Sequence, residues 1–334
     1  MACAVRVASV LLALLLCRGV ASAQAPAAEA DVTVGTSSQG VQALATQVRL
    51  FGALPGDWRF YGDSTWAARR GRESDAFGAA YPYEPEFRPM ELYLEKTVVR
   101  GARVVGTRIG RYRTPFGLYG RSEHGYTGFV RAPLIRYSDY WALSNNFLET
   151  GVSAVAGATW LSAEGSVGVA SDVDKYARPG GVNGVLRVQS AFGSLIVGAS
   201  HIRTRPSKEW GFATGRAEFS GVDVRWMQSG VLVRGEWLTG RPFDGAKTRG
   251  GYLDVLVHRP AMGPVTAVAR LERLDYFAGR FSRYPRRYSA GAKVRGPLQF
   301  VGQVNFVHQP RDVTGHAGHG SVDVSLTYTL RPHK

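Results

Sequence analysis

The chain has 334 residues, 45% of them hydrophobic, with 41 Lys and Arg against 26 Asp and Glu, a formal charge of +15. The basic residues are spread along the whole length, one or two to a segment, rather than gathered on one helix or patch, which argues against nucleic acid as a partner. Both cysteines, Cys3 and Cys17, fall near the start, and no later segment is an apolar helix of the roughly 20 residues needed to cross a bilayer.

The first element is MACAVRVASVLLALLLCRGVASAQ: one early charge at Arg6, an apolar run Val7 to Leu16, and small residues at Ala21-Ser22-Ala23. That order predicts a secretory signal peptide over 1–23, cleaved after Ala23. Leu16 and Arg18 are poor neighbours for a lipidated Cys17. Removing Arg6 and Arg18 from a +15 chain leaves +13 over 24–334, with no cysteine.

From there the dominant period is two, which predicts strands. DVTVGT (Asp31 to Thr36) is a short candidate, and another strand begins near Val41. RVVGTRIGRYRTPFGLYG (Arg103 to Gly120) alternates aliphatic and basic residues and breaks at Pro115. GVDVRWM sets Val222, Val224 and Trp226 against Asp223 and Arg225, and VLVRGEW sets Val231, Val233 and Trp237 against Arg234 and Glu236. YLDVLVH opposes Leu253, Val255 and Val257 to Asp254 and His258. TAVARLER opposes Ala267, Ala269 and Leu271 to Arg270 and Glu272, and RYSAGAKVR opposes Ala290, Ala292 and Val294 to Lys293 and Arg295. SVDVSLTYTL, the last, has Val322, Val324, Leu326, Tyr328 and Leu330 against Asp323, Ser325, Thr327 and Thr329.

The connections alternate too. Tight ones fall near Pro55, Gly101, Ser229, Gly263 and Gly296; long ones are expected at 68–89, 112–146, 171–182, 204–214, 240–250, 277–286 and 309–318. Tight turns at one end of a sheet and long loops at the other predict an all-β, closed antiparallel transmembrane β-barrel. Counting hairpins gives sixteen strands, with fourteen or eighteen as alternatives because 147–169 and 185–202 are hard to divide. A soluble sheet with this many one-sided strands needs a second layer to cover them. Trp58, Trp66, Trp141, Trp160, Trp210 and Tyr276 lie near strand ends, where amphipathic rings suit a membrane boundary. A closed barrel satisfies every backbone group in lipid without an edge.

Val105 and Ile109 are therefore expected to face lipid, and Arg108 the lumen. After Pro115 the chain enters its longest connection, too aromatic for a purely solvated lid. It either folds inward, bringing Arg113, Arg121, Glu123, Arg131, Arg136 and Asp139 to a constriction, or caps the mouth or a neighbouring subunit. The inward faces of the strands supply the other pore-lining candidates: Arg49, Arg108, Arg187, Arg225, Arg234, Arg270, Lys293 and Arg295 against Glu95, Asp223, Glu236, Asp254, Glu272 and Asp323. A basic excess favours anions in a pore, unless the charges pair across strands.

GRYRTPFGLYG, followed by FVRAPLIRYSDY and LETGVSAVAG, resembles the bacterial outer-membrane porins of the broad group that includes the phosphate-selective ones. The shared feature is a Gly-basic-x-x-x-Pro-Phe-Gly strand end before a long loop, here Gly110 to Gly117. The resemblance implies a sixteen-stranded, usually trimeric diffusion channel; it does not imply phosphate as the solute. The function expected is thus passive diffusion of small polar solutes, with anion preference, in the outer membrane.

The other readings are a barrel hydrolase, a plugged or structural barrel, and a soluble exported all-β binding protein. Catalysis has weak support: Ser122, Glu123 and His124 are one coincidence in a loop, and Ser200 and His201, adjacent on a strand, should point to opposite faces. His316 and His319 in GHAGHG lack a third metal ligand. No nucleotide or redox cofactor motif is present, so no enzyme activity and no cofactor are expected.

Overall fold

The alternation described above produces strands whose burial is the reverse of that in a soluble protein. In the last strand Ser321, Asp323, Ser325 and Thr327 are buried, while Val322, Val324 and Leu326 are exposed. The computed structural model describes residues 27–71, 86–118, 128–136, 148–171, 181–204, 216–242, 245–279, 281–311 and 317–331. The expected export segment 1–23 lies outside them.

The first nine strands are β1 (Ala27–Ser37), β2 (Val41–Leu54), β3 (Trp58–Arg70), β4 (Glu86–Arg100), β5 (Arg103–Arg113), β6 (Leu148–Ala158), β7 (Leu161–Ser171), β8 (Val182–Phe192) and β9 (Leu195–Thr204). The rest are β10 (Ala217–Gln228), β11 (Val231–Arg241), β12 (Lys247–Val257), β13 (Val265–Ala278), β14 (Phe281–Arg283), β15 (Arg286–Arg295), β16 (Phe300–Arg311) and β17 (Ala317–Leu330). β14 and β15 both pair with β13 and are two pieces of one spanning strand. They are parted at Pro285, which has no N–H to give to a ladder. Sixteen strands therefore span, each antiparallel to its neighbours, and the ring closes because β1 pairs with both β2 and β17.

At one end the connections are short, as at Pro55–Asp57 and Pro260–Met262. At the other end they are longer, with exceptions that depart from expectation. β11 runs to Arg241 and β12 starts at Lys247, and most of 277–286 is strand. The ends of β11 and β12 are made of Thr, Gly, Arg and Lys (TGR and KTRGG), and FAGRFSRYPR over 277–286 has no apolar–polar alternation, so period two does not mark either stretch as strand. In β4 the register slips between Asp63 and Ser64 of its partner strand, with Pro89 beside the slip, a position where a ladder tolerates proline.

Thirty-five large apolar side chains are exposed among the described residues, Val105 at 61% and Leu271 at 55% among them. Leaving each in water forgoes about 1 kcal/mol or more, several times in sum the whole stability of a typical domain. Facing hydrocarbon removes that cost, so the barrel is built to span a membrane. Trp66 and Trp160 are exposed as expected of boundary residues, whereas Trp141 and Trp210 lie outside the described residues. Tyr276 departs from that expectation: it is 3% exposed, because the alternation that turns Arg270 and Glu272 inward carries Tyr276 with them.

Candidate functional site in the barrel lumen

β5 delivers the chain into the interior. Arg113, its last residue, is buried and gives its main-chain N–H and its Nε to the carboxylate of Glu91, at 3.1 and 3.3 Å. Thr114, Pro115 and Phe116 are buried beyond it. The Phe116 ring packs with Leu134, Ile135, Ile202, Phe219, Leu238 and Leu274, a small apolar cluster of loop and wall residues. Gly117 (φ 64°) and Gly128 (φ 85°) supply the left-handed turns that this path needs.

The segment 128–136 is then bonded to the wall at nearly every step. The Val130 N–H donates to Asn305 Oδ1 at 2.7 Å, and Asn305 Nδ2 donates to the Gly128 carbonyl at 3.1 Å. Arg131 Nε meets Asp323 at 2.5 Å, and its Nη2 reaches Ser321 Oγ at 2.8 Å and Gln39 Oε1 at 3.2 Å. Arg270 donates to the Arg131 carbonyl at 2.9 Å and Arg287 to the Ala132 carbonyl. The Leu134 N–H donates to Glu272 at 2.8 Å, and Arg136 pairs with Glu236. At the other end the Gly117 N–H donates to Ser200 Oγ at 3.1 Å. The described parts of the loop, 113–118 and 128–136, are thus fixed against the inner wall along the arc from β9 to β17.

The wall itself is charged. Arg49 pairs with Asp31, and Arg108 lies 3.6 Å from both Glu95 and Glu164, under the rings of Tyr93 and Tyr112. Arg187 grips Asp223 at 2.6 and 2.8 Å. Asp254, fully buried, is shared by Arg270 at 2.6 Å and Arg234 at 2.8 Å. Arg225, Arg234, Asp254 and Arg270 stand directly opposite one another across β10, β11, β12 and β13, a transverse row of three arginines and one carboxylate. Arg225 and Arg295 are exposed and form no ion pair among the described residues, while Lys293 is buried. On the far wall Glu95, Arg108, Ser153, Glu164, Arg187 and Gln189 border a polar hollow of about 290 Å³.

Arg121, Glu123 and Asp139, and likewise Ser122, His124 and His316, lie outside the described residues. Arg131 and Arg136 come to the lumen as buried members of ion pairs, not as free charges. Ser200 faces inward, bonded to Arg187 at 3.0 Å, while His201 faces outward beside Ser220 and Glu218, so the two make no catalytic pair. Sequence reasoning missed Arg287, which pairs with Glu272 at 2.5 Å, and Asn305. Extending the alternation of Lys293 and Arg295 back along β15 would have found Arg287. It also missed the Glu149–Asn183 bond beneath Tyr112, for which small-residue strands gave no sign.

No protein-family model matches the chain, and no curated protein sequence matches it. Solved structures do. OprB of Pseudomonas putida superposes with a TM-score of 0.65 at 7% identity, covering 91% of this chain and 94% of that one. OmpF of Salmonella typhi, in a complex with daunomycin, gives 0.62 at 11% identity, over 91% and 97%. OmpT of Vibrio cholerae, an outer-membrane protein solved in a trimer form, gives 0.58 at 11% identity, over 92% and 99%. The chain has the sixteen-stranded barrel fold of the bacterial outer-membrane porins.

Proposed function

We propose that this protein is a passive diffusion channel of a bacterial outer membrane for small polar solutes, with a preference for anions, and that it works as a homotrimer without enzymatic activity. The observation that carries the reading is the combination of an apolar exterior with a charged lumen that holds an internal loop fixed against its wall. Such a wall keeps water in the bore, and the loop sets its width. The anion preference rests on the transverse row Arg225–Arg234–Asp254–Arg270, where three guanidiniums answer one carboxylate. Fixed positive charge lowers the barrier for anions in a pore. The far wall, with Glu95 and Glu164 against Arg108, has two carboxylates to one guanidinium and so adds nothing to that basic excess. The homotrimer is supported by the trimer form of the Vibrio cholerae neighbour.

The test is single-channel conductance and reversal potential of the refolded protein in a planar bilayer under a salt gradient. Ohmic steps of anion sign are expected, and Arg225→Glu with Arg234→Glu should move the reversal potential towards cations. Unchanged selectivity in that double variant removes the row from the permeation path. A folded barrel that passes no current overturns the channel and favours a plugged one.

A further inference from the structure

The outer face of the barrel carries a charge cluster that a lipid-facing surface has no ordinary use for. Asp275 on β13 is completely covered by three arginines: Arg273 approaches at 2.6 Å, Arg286 at 3.1 Å and Arg249 at 3.2 Å. Alternation puts all of them outside. On β12 Arg249 is exposed while Thr248 and Gly250 are buried; on β13 Arg273 is exposed while Glu272 and Leu274 are buried. On β15 Arg286 shares the outward parity of Tyr288. One carboxylate cannot neutralise three guanidiniums, so the patch has a local charge of +2. Each guanidinium presents five N–H groups and Asp275 takes only some of them.

Immediately below the patch, towards the short-turn end, lies an apolar hollow of about 520 Å³. Val222, Trp237, Leu253, Leu271 and Tyr288 border it, and Gly235 and Gly251 leave it open by carrying no side chain. Arg273 belongs to its rim, so the hollow and the charge adjoin. Height fits as well. Arg273 is eight residues above the start of β13 at Val265. At about 3.3 Å per residue and a tilt of about 40°, that is roughly 20 Å of rise, near the upper edge of an apolar band about 25 Å tall. Arginines deep in hydrocarbon would be costly; at this level they meet headgroups.

We propose that Arg249, Arg273 and Arg286 form a binding site for a phosphorylated lipid of the outer leaflet, with an acyl chain lying along the Leu253–Leu271 hollow. Paired guanidiniums match phosphate oxygens in a forked geometry that a single lysine does not provide. Asp275 acts as a positioning residue: it holds three mutually repelling arginines in one fan before the lipid arrives. The proposal rests on the membrane-spanning reading above but not on channel activity.

Its test uses the intact protein in detergent, analysed by native mass spectrometry after addition of diphosphorylated lipid A, monophosphorylated lipid A, phosphatidylethanolamine or inorganic phosphate. The comparison variant is R249Q/D275N/R273Q/R286Q, which removes the carboxylate with its cations so that no lone charge faces lipid. Wild type should retain diphosphorylated lipid A in preference to phosphatidylethanolamine, and the quadruple variant should lose at least tenfold of that occupancy. Leu271→Trp, which fills the hollow and leaves the charges, should reduce lipid occupancy and leave inorganic phosphate unaffected. Equal lipid A retention by wild type and quadruple variant overturns the site. So does equal retention of phosphatidylethanolamine, or a change in oligomeric state of the lipid-free variant, which assigns the face to a second copy. Conductance of the same preparations separates the two readings. A barrel that holds the lipid but passes no current loses the channel and keeps the site.

Discussion

Asp323 shows what a single residue is asked to do in the lumen. It is fully buried, accepts from Ser37 Oγ at 2.7 Å, and takes Arg131 at 2.5 and 3.1 Å from a loop nearly two hundred residues away in sequence. Arg131 is 2% exposed, so solvent does not screen the pair. Breaking a buried pair from one side leaves an uncompensated charge and costs about 3–5 kcal/mol. Arg131→Ala should therefore destabilise the folded barrel by about 3 kcal/mol, while Arg131→Ala with Asp323→Ala should cost less than the two single changes together. Urea unfolding in detergent, run as a double-mutant cycle, checks this. A coupling of about 1 kcal/mol or more is expected, and additivity within about 0.5 kcal/mol would mean that the pair is not formed.

At the scale of the element, the internal loop is held chiefly through its main chain: Asn305, Glu272, Arg270, Arg287 and Ser200 all bond to its amides or carbonyls. Apart from Arg131 and Arg136, whose side chains are themselves paired with the wall, the path of the segment is recognised more than its side chains, so substitutions at the other positions of 128–136 should be tolerated better than loss of the segment. Replacing 116–146 by a short linker should at least double the single-channel conductance. It should also move selectivity towards cations, because Asp323 and Glu236 lose Arg131 and Arg136 while Glu272 keeps Arg287. Conductance unchanged after excision would place the loop away from the bore.

The same elements mark how far the sequence could be read. Period two was visible in β10 to β13 and in β17 because lipid and water demand opposite chemistry on alternate residues. DVTVGT was legible as a strand, though the element extends from Ala27 to Ser37. The limits of β12 and the β13–β15 hairpin were not, since KTRGG and FAGRFSRYPR carry no alternation of apolar and polar residues. The candidate arginines were legible as inward, but their pairing was not, because register brings Arg234 and Arg270 to one carboxylate and that register is a property of the closed ring. The cluster around Asp275 looked like ordinary loop-end charge in LERLDYF; only the parity of β12 and β15 turns it outward as one group.

The whole molecule depends on β1. Its residues pair with β2 from Ala27 opposite Phe51 to Ser37 opposite Val41, and with β17 from Ala30 opposite Leu330 to Ser37 opposite Asp323. β2 and β17 both run from the loop end towards the short-turn end, since each is antiparallel to β1. Without β1 they would meet as parallel neighbours, in a register that no turn defines. Fifteen strands would either close through that mismatched seam or leave two edges in lipid, where each unsatisfied backbone group costs several kcal/mol. An even number of strands is thus a condition of closure by antiparallel pairing alone. Deletion of residues 27–37 should abolish the heat-modifiable folded form in detergent and in vesicles. Val34→Ala, which trims one outward side chain and keeps the ladder, should preserve it. If the deletion variant still migrates as a folded barrel and resists protease in vesicles, a parallel β2–β17 seam can form, and β1 contributes stability without being required for closure.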